Sequence, residues 1–305
     1  MLRLWLLPLF IAFAGCAGAQ SAPDANAQPY QISVSLNLVV LQATVRDRKG
    51  GFAADLGQRD FQVYEDGVRQ DISLFRHEDV PVTVGLVVDH SGSMRSKLPE
   101  VIIAAGKFVQ SSNPEDQMFV VNFNEKVSLG LPAAVPFSNR ADELDAAVGE
   151  EPAAGETALY DAISVALNRL QSGARERKVL IVISDGGDNA SLLNLPGALK
   201  MAAESNAVLY TIGIFDKDDP DKNPGVLRRL ANATGGEAFF PGEFSDVVAI
   251  CARIASEIRH QYTLGYVSGN AAKPAGYRTI RVVARATGKD LAVRTRTTYF
   301  AEGVK

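Results

Sequence analysis

Cysteine is nearly absent from this chain: of 305 residues, only Cys16 and Cys251 carry a thiol. That excludes a disulfide framework, and with no C-x-x-C or Cys/His cluster it leaves nothing on which to build a zinc site. Histidine is equally sparse, at His77, His90 and His260. Positive charge is in short supply too. The formal net charge is -4, and Lys and Arg form no long runs, so neither a basic face for nucleic acid nor a polybasic membrane patch is present. The phosphate-cradling G-x-x-x-x-G-K-[ST] loop and the G-x-S-x-G nucleophile elbow are both missing, which removes an ATPase and a familiar class of hydrolase. What remains is an ordinary globular composition, 47% apolar and 22% charged, long enough for two domains or one large one.

The amino terminus reads as an export signal. Arg3 is followed by an apolar run to Phe13 broken only by Pro8, a stretch too short for a permanent bilayer helix. Two processing outcomes fit. Phe13-Ala14-Gly15-Cys16 resembles a lipobox, which would place a lipid anchor on Cys16; Ala17-Gly18-Ala19 suits ordinary signal peptidase, with cleavage before Gln20. Residues 1–19 are thus expected to be a leader and 20–30 a linker. The mature protein would be either lipid-anchored in the cell envelope (periplasm or outer membrane) or secreted. The lone remaining thiol, Cys251, falls in the apolar stripe Val247, Val248, Ile250, Cys251, Ile254, Ile258, and reads as an inert core residue on a helix.

Beyond the linker the rhythm changes twice. Residues 31–79 are β in character. Ile32, Val34, Leu36, Leu38 and Val40 alternate as on a half-buried strand, and Phe61–Tyr64 and Ile72–Phe75 flank an Asp66-Gly67 hairpin signal. Residues 80–261 instead interleave apolar runs (Val82–Val88, Met118–Phe123, Val179–Ile183, Ala207–Ile214) with six helical patterns, the last over Phe244–Arg259. Continuous Val/Ile/Leu runs suit strands covered on both faces, so this stretch predicts an α/β domain: a doubly wound, mostly parallel, Rossmann-like sheet flanked by helices. Residues 262–301 return to β, with strands over Tyr262–Val267, Tyr277–Ala286 and Leu291–Phe300 and turns at Gly269-Asn270 and Gly288-Lys289. Neither β flank is long enough for a comfortable core alone. They are expected to pair into one β-sandwich-like domain with the α/β domain inserted between them.

The residues with chemistry to offer stand where these strands end. In open α/β sheets, ligands bind beyond the carboxyl ends of the strands. Asp89 follows the run Val82–Val88, and Ser91 and Ser93 come next, separated by Gly92. A second loop, Gly155-Glu156-Thr157, offers the Thr157 hydroxyl, and the strand at 178–184 runs into Asp185. Two carboxylates and three hydroxyls form an all-oxygen set suited to a hard divalent cation, Mg²⁺ above all, which would keep waters and an open position for an incoming carboxylate.

In these residues the chain resembles a von Willebrand factor type A (VWA) domain with a metal-ion-dependent adhesion site. The D-x-S-x-S pattern, the later Thr and the later Asp stand here as Asp89, Ser91, Ser93, Thr157 and Asp185, within Val-Val-Asp-His-Ser-Gly-Ser-Met, Thr-Ala-Leu-Tyr-Asp-Ala and Ile-Ser-Asp-Gly-Gly-Asp. Asp60–Gly67 and Tyr262–Tyr266 extend the likeness to bacterial VWFA-related proteins, which are mostly exported. The resemblance implies that Asp89, Ser91, Ser93 and Thr157 ligate the metal directly or through water, with Asp185 holding a coordinated water. It implies Mg²⁺ or Mn²⁺, with Ca²⁺ ranked behind them. The partner it implies is a protein offering a carboxylate to the metal.

Neighbouring polar residues read otherwise. Asp188 is a turn residue, Asp161 supports the Thr157 loop or starts its helix, Glu156 is a solvated loop residue and His90 fills the loop. No base-plus-orienter set accompanies Ser91, so a binding protein is expected and not an enzyme. A scaffold or assembly factor with a structural metal is the alternative. No nucleic-acid partner is expected, the membrane would be reached only through Cys16, and the oligomeric state is left open.

Overall fold

The computed structural model describes residues 38–215, 222–269, 274–286 and 291–301. The leader and linker readings for 1–30, the start of the first β segment at 31–37 and the Gly288-Lys289 turn lie outside the described residues, as does Asn270 of the Gly269-Asn270 turn.

The first flank begins with β1 (Leu38–Asp47), then β2 (Phe61–Glu65), β3 (Val68–Gln70) and β4 (Ile72–Arg76). Asp66 and Gly67 both take positive φ, 48° and 81°, the backbone of a tight type I′ hairpin turn. The hairpin joins β2 to β3, and not to Ile72–Phe75 as the sequence suggested. β4 crosses to the other sheet, where it pairs with a strand of the second flank. A second difference lies in β1. Val39, Leu41, Ala43 and Val45 are its buried row, while Leu38 and Val40 are exposed. The alternation read through Leu38 and Val40 therefore had the opposite phase. The row of Leu38 and Val40 turns polar at Gln42, Thr44 and Arg46, whereas Val39, Leu41, Ala43 and Val45 stay apolar, so the alternation that runs from Ile32 to Val40 changes phase within this strand.

The middle of the chain supplies β5 (Val82–Asp89), α1 (Leu98–Ser111), β6 (Gln117–Phe123), β7 (Val127–Leu129), α2 (Ala141–Gly149), α3 (Leu159–Gln171), β8 (Arg177–Ser184), α4 (Leu195–Glu204), β9 (Ala207–Gly213), α5 (Pro224–Thr234), β10 (Ala238–Phe239) and α6 (Phe244–Arg259). The sheet order is β10-β9-β8-β5-β6-β7, parallel except for the short edge strand β7. All eight residues of β5 are buried, as a strand covered on both faces requires. Helix α1 packs against α2 and α6, and α4 packs between α3 and α5, giving the two helical layers. In the middle of β5, a Cβ on Gly85 would stand 2.5 Å from Leu180 and 2.6 Å from Phe119. Only glycine lets those side chains close over the strand.

The second flank adds β11 (Tyr262–Val267), β12 (Gly276–Ala284), β13 (Leu291–Arg294) and β14 (Thr298–Ala301). The single strand expected over Leu291–Phe300 is two, in different sheets. One four-stranded sheet runs β13-β1-β11-β4 and the other β14-β12-β2-β3, so each sheet interleaves strands from before and after the α/β stretch. Leu41, Val63, Tyr262, Leu264, Tyr266 and Ile280 form the core between them. Each such side chain contributes about 1.5–3 kcal/mol on burial.

The sandwich and the α/β layers meet at the end of α6. Glu257 is fully buried and accepts from Thr44 and Arg46 of β1, Tyr210 of β9 and Arg294 of β13, at 3.1 Å, 2.7 Å and 2.7 Å for the first three. One helix end is thus held by strands of two sheets. The other prominent α6 residue, Cys251, is a buried free thiol that burial pushes up to about 12, an inert core residue as expected.

Candidate metal centre

β5 and β8 lie side by side in parallel, in register from Val82↔Arg177 to Val88↔Ile183. The chain leaves β5 toward β6 on one side, while β8 stands on the other, so their carboxyl ends form the switch point at which such sheets bind ligands. Asp89 ends β5 and Asp185 follows β8 by one residue.

Asp89 is fully buried. Its Oδ1 accepts the Ser91 amide at 2.8 Å and its Oδ2 accepts the Ser184 hydroxyl at 2.6 Å, leaving each oxygen a further lone pair. Ser91 Oγ lies 3.1 Å from Ser93 Oγ, and Ser93 Oγ donates to Asp185 Oδ2 at 2.5 Å. The other Asp185 oxygen accepts the Gly187 amide at 3.0 Å. Four of the five candidate residues, Asp89, Ser91, Ser93 and Asp185, are therefore tied into one polar cluster through these contacts and Ser184.

Thr157 comes from the third loop. Its amide donates to Asn189 Oδ1 at 2.8 Å and its carbonyl accepts from the Asn189 and Ala190 amides, each at 3.0 Å. Its hydroxyl makes no hydrogen bond to a described residue, although only 7% of the residue is exposed. The loop is tied to the Ser91–Ser93 turn by the Gly92 amide, which donates to the Gly155 carbonyl at 3.1 Å. Gly155 has φ 81° and Gly186 φ 83°, so both turns require a residue tolerant of left-handed backbone.

The other polar residues of these loops are support. Asp188 accepts from the Tyr160 amide and Ser191 hydroxyl, and Asp161 from the Leu192 and Leu193 amides. His90 is buried, with Nδ1 2.8 Å from the Glu151 carbonyl, and Glu156 is exposed. Two contributors were not singled out from sequence. Ser184 was visible in Ile-Ser-Asp but was read as strand. Asn189 follows Asp-Gly-Gly-Asp and, from sequence, is one more turn residue.

The electrostatics test the fit of a cation. Burial pushes the Asp89 carboxyl up to about 6, and the Asp185 charge adds to the rise while hydrogen bonds from Ser184 and Ser91 oppose it. Among the described residues no cationic side chain pairs with Asp89. A buried carboxylate lacking a counter-charge, surrounded by oxygen donors, fits a hard divalent ion. The described residues contain no group of three or more His, Cys, Asp or Glu placed to hold a metal. The donor set here is two carboxylates and hydroxyls, and such a set leaves part of the coordination shell to water.

Comparisons with known proteins bear on the fold. The family model of the von Willebrand factor type A domain matches residues 83–251, more than half of the chain. No curated protein matches. Among solved structures, a von Willebrand factor type A protein from Catenulispora acidiphila is 14% identical, with 86% of this chain and 74% of that one covered and a TM-score of 0.52. The conserved hypothetical protein BatB from Bacteroides thetaiotaomicron is 18% identical over 58% of this chain and 98% of its own, at a TM-score of 0.48. Proximal thread matrix protein 1 from the mussel byssus, solved with a zinc-occupied MIDAS motif, is 18% identical over 60% of this chain and 49% of its own, also at 0.48.

Proposed function

We propose that this chain, which belongs to the von Willebrand factor type A domain family, is an exported metal-dependent binding module that grips an acidic group of a protein partner. Domains of this family commonly serve as protein-interaction modules. The observation that carries the finer reading is Asp89: fully buried, unpaired with any described cation, and joined through Ser91 and Ser93 to Asp185. Asp89, Ser91, Ser93 and Thr157 would hold the ion directly or through water, and Asp185 would hold a coordinated water. Bound there, Mg²⁺ or Mn²⁺ supplies an open position that a partner carboxylate can fill. Ser91 and Ser93 spend their hydroxyls within the cluster, and no histidine hydrogen-bonds to either, which favours binding over nucleophilic catalysis. Export is supported by the leader pattern at 1–19, with Cys16 as the candidate anchor.

The test is calorimetric titration of the chain with Mg²⁺ and Mn²⁺, wild type against Asp89→Ala. One-site binding lost in the variant is expected, followed by partner capture that a chelator abolishes. Capture that survives chelation favours a scaffold with a structural metal; absence of any metal binding by the wild type refutes the module as described.

A further inference from the structure

A second site lies at the opposite end of the sheet, where β8 and β9 begin. A cleft of about 440 Å³ opens there between the outer face of the β1–β11–β4 sheet and the α/β layers, within the range of about 300–1,000 Å³ typical of small-ligand sites. One wall is apolar: Leu38 and Val40 on the exposed row of β1, Leu74, and Val208 across from them. The other holds two arginines, Arg177 at the start of β8 and Arg296 in the segment between β13 and β14.

These arginines are unlike the others at this junction. Arg177 is 6% exposed and Arg296 7%, yet neither forms an ion pair with a described residue. Arg46 and Arg294, by contrast, share Glu257. Arg177 commits only Nη2, to the Ile258 carbonyl at 2.5 Å and Gln261 Oε1 at 2.8 Å. Arg296 commits only Nη2, to the Ser205 carbonyl at 2.6 Å. The Nε and Nη1 groups of both make no hydrogen bond to a described residue, none of these atoms is buried without a partner, and both residues line the cleft. The two side chains are brought together by the strand starts. Lys178, next to Arg177, pairs with Ala207, and Arg296 reaches Ser205 two residues earlier. Asn206, between them, also lines the cleft. The one carboxylate on the lining, Glu176, is solvent-exposed at the rim and engaged by Arg76 at 3.0 Å.

Two buried guanidinium groups without an ion pair are costly unless an anion completes them, and the charges of Asp79 and Asp116 act on Arg177 only from beyond ion-pair distance. A planar fork of N–H donors suits a carboxylate, and the apolar wall suits a hydrocarbon body. We propose that this cleft binds an organic carboxylate carrying an apolar chain, its head group on Arg177 and Arg296 and its chain along Leu38, Val40 and Leu74.

The experiment is calorimetric titration of the whole chain with decanoate, decanol and inorganic sulfate, on wild type, Arg296→Gln and Val40→Trp. Gln at 296 removes the guanidinium charge and keeps a polar side chain at the cleft, and Trp at 40 fills the cleft from an exposed position. Expected is saturable one-site binding of decanoate, weakened about tenfold or more in each variant, with decanol weaker than decanoate by a similar factor. Several outcomes overturn the proposal: no saturable decanoate binding, decanol binding as well as decanoate, or Arg296→Gln binding like wild type. Sulfate binding as tightly as decanoate would make this an inorganic-anion site and refute the apolar chain.

Discussion

At the scale of single residues, Asp89 sets binding against stability. Its carboxyl is raised from an ordinary 3.8 to about 6, chiefly by burial. The folded state therefore holds the proton more tightly than the unfolded chain. The stability that this proton provides is complete below about 4 and is lost as pH rises through about 6, a difference of roughly 3 kcal/mol in the metal-free protein. Asp89→Asn keeps an acceptor for the Ser91 amide and a neutral group facing Ser184. Metal-free Asp89→Asn should thus melt higher than metal-free wild type at pH 7.5, with the gap closing near pH 4, while Mg²⁺ no longer shifts its melting temperature. A variant that melts lower at pH 7.5 would show that burial of Asp89 carries no such strain. By the same linkage, Mg²⁺ affinity of the wild type should fall about tenfold per pH unit below about 6, because proton and metal compete for one carboxylate.

At the scale of elements, α6 is the strut between sandwich and α/β layers, and Glu257 is its fastening. Burial pushes the Glu257 carboxyl up, but Arg294, Tyr210 and Arg46 outweigh that and hold it below the usual carboxylate range. Its contribution is present above the ordinary carboxylate range and disappears only as pH falls through the lowered value. Glu257→Ala removes the acceptor shared by two arginines and should cost about 3–5 kcal/mol, read as a lower denaturant midpoint. Glu257→Gln, which keeps one acceptor, should cost less. Equal midpoints for wild type and Glu257→Ala would mean that water replaces the carboxylate without loss. The helix bounds of α6 were fully legible beforehand, because the 3.6-residue apolar stripe runs unbroken from Val247 to Ile258. Nothing in that stripe could reveal that Glu257, on the same helix, would be sealed beneath Thr44, Arg46 and Arg294.

At the scale of the whole molecule, the two flanks depend on each other. β1 is bordered by β11 and β13, and β2 by β12 and β3. Ending the chain after Gln261 removes both neighbours of β1 and uncovers Leu41, Val63 and the rest of the core they share with Tyr262 and Leu264. Such a chain should bind an apolar dye and lose the cooperative unfolding transition of the full protein, followed by circular dichroism. An unchanged transition would show that residues 38–79 hold their shape without their partners.

The sequence by itself determined the α/β class, the family and the positions of Asp89, Ser91, Ser93, Thr157 and Asp185, because each depends on local pattern. An apolar run specifies a doubly covered strand, and the loop at the strand's carboxyl end follows from it. Tertiary structure alone decided that Leu291–Phe300 divides between two sheets and that Ser184 and Asn189 brace the candidate metal-binding loops. It also decided that Arg177 and Arg296 share a cleft. Those outcomes rest on contacts between residues far apart in the chain, and a period of two or a lone polar residue carries no record of its distant partner.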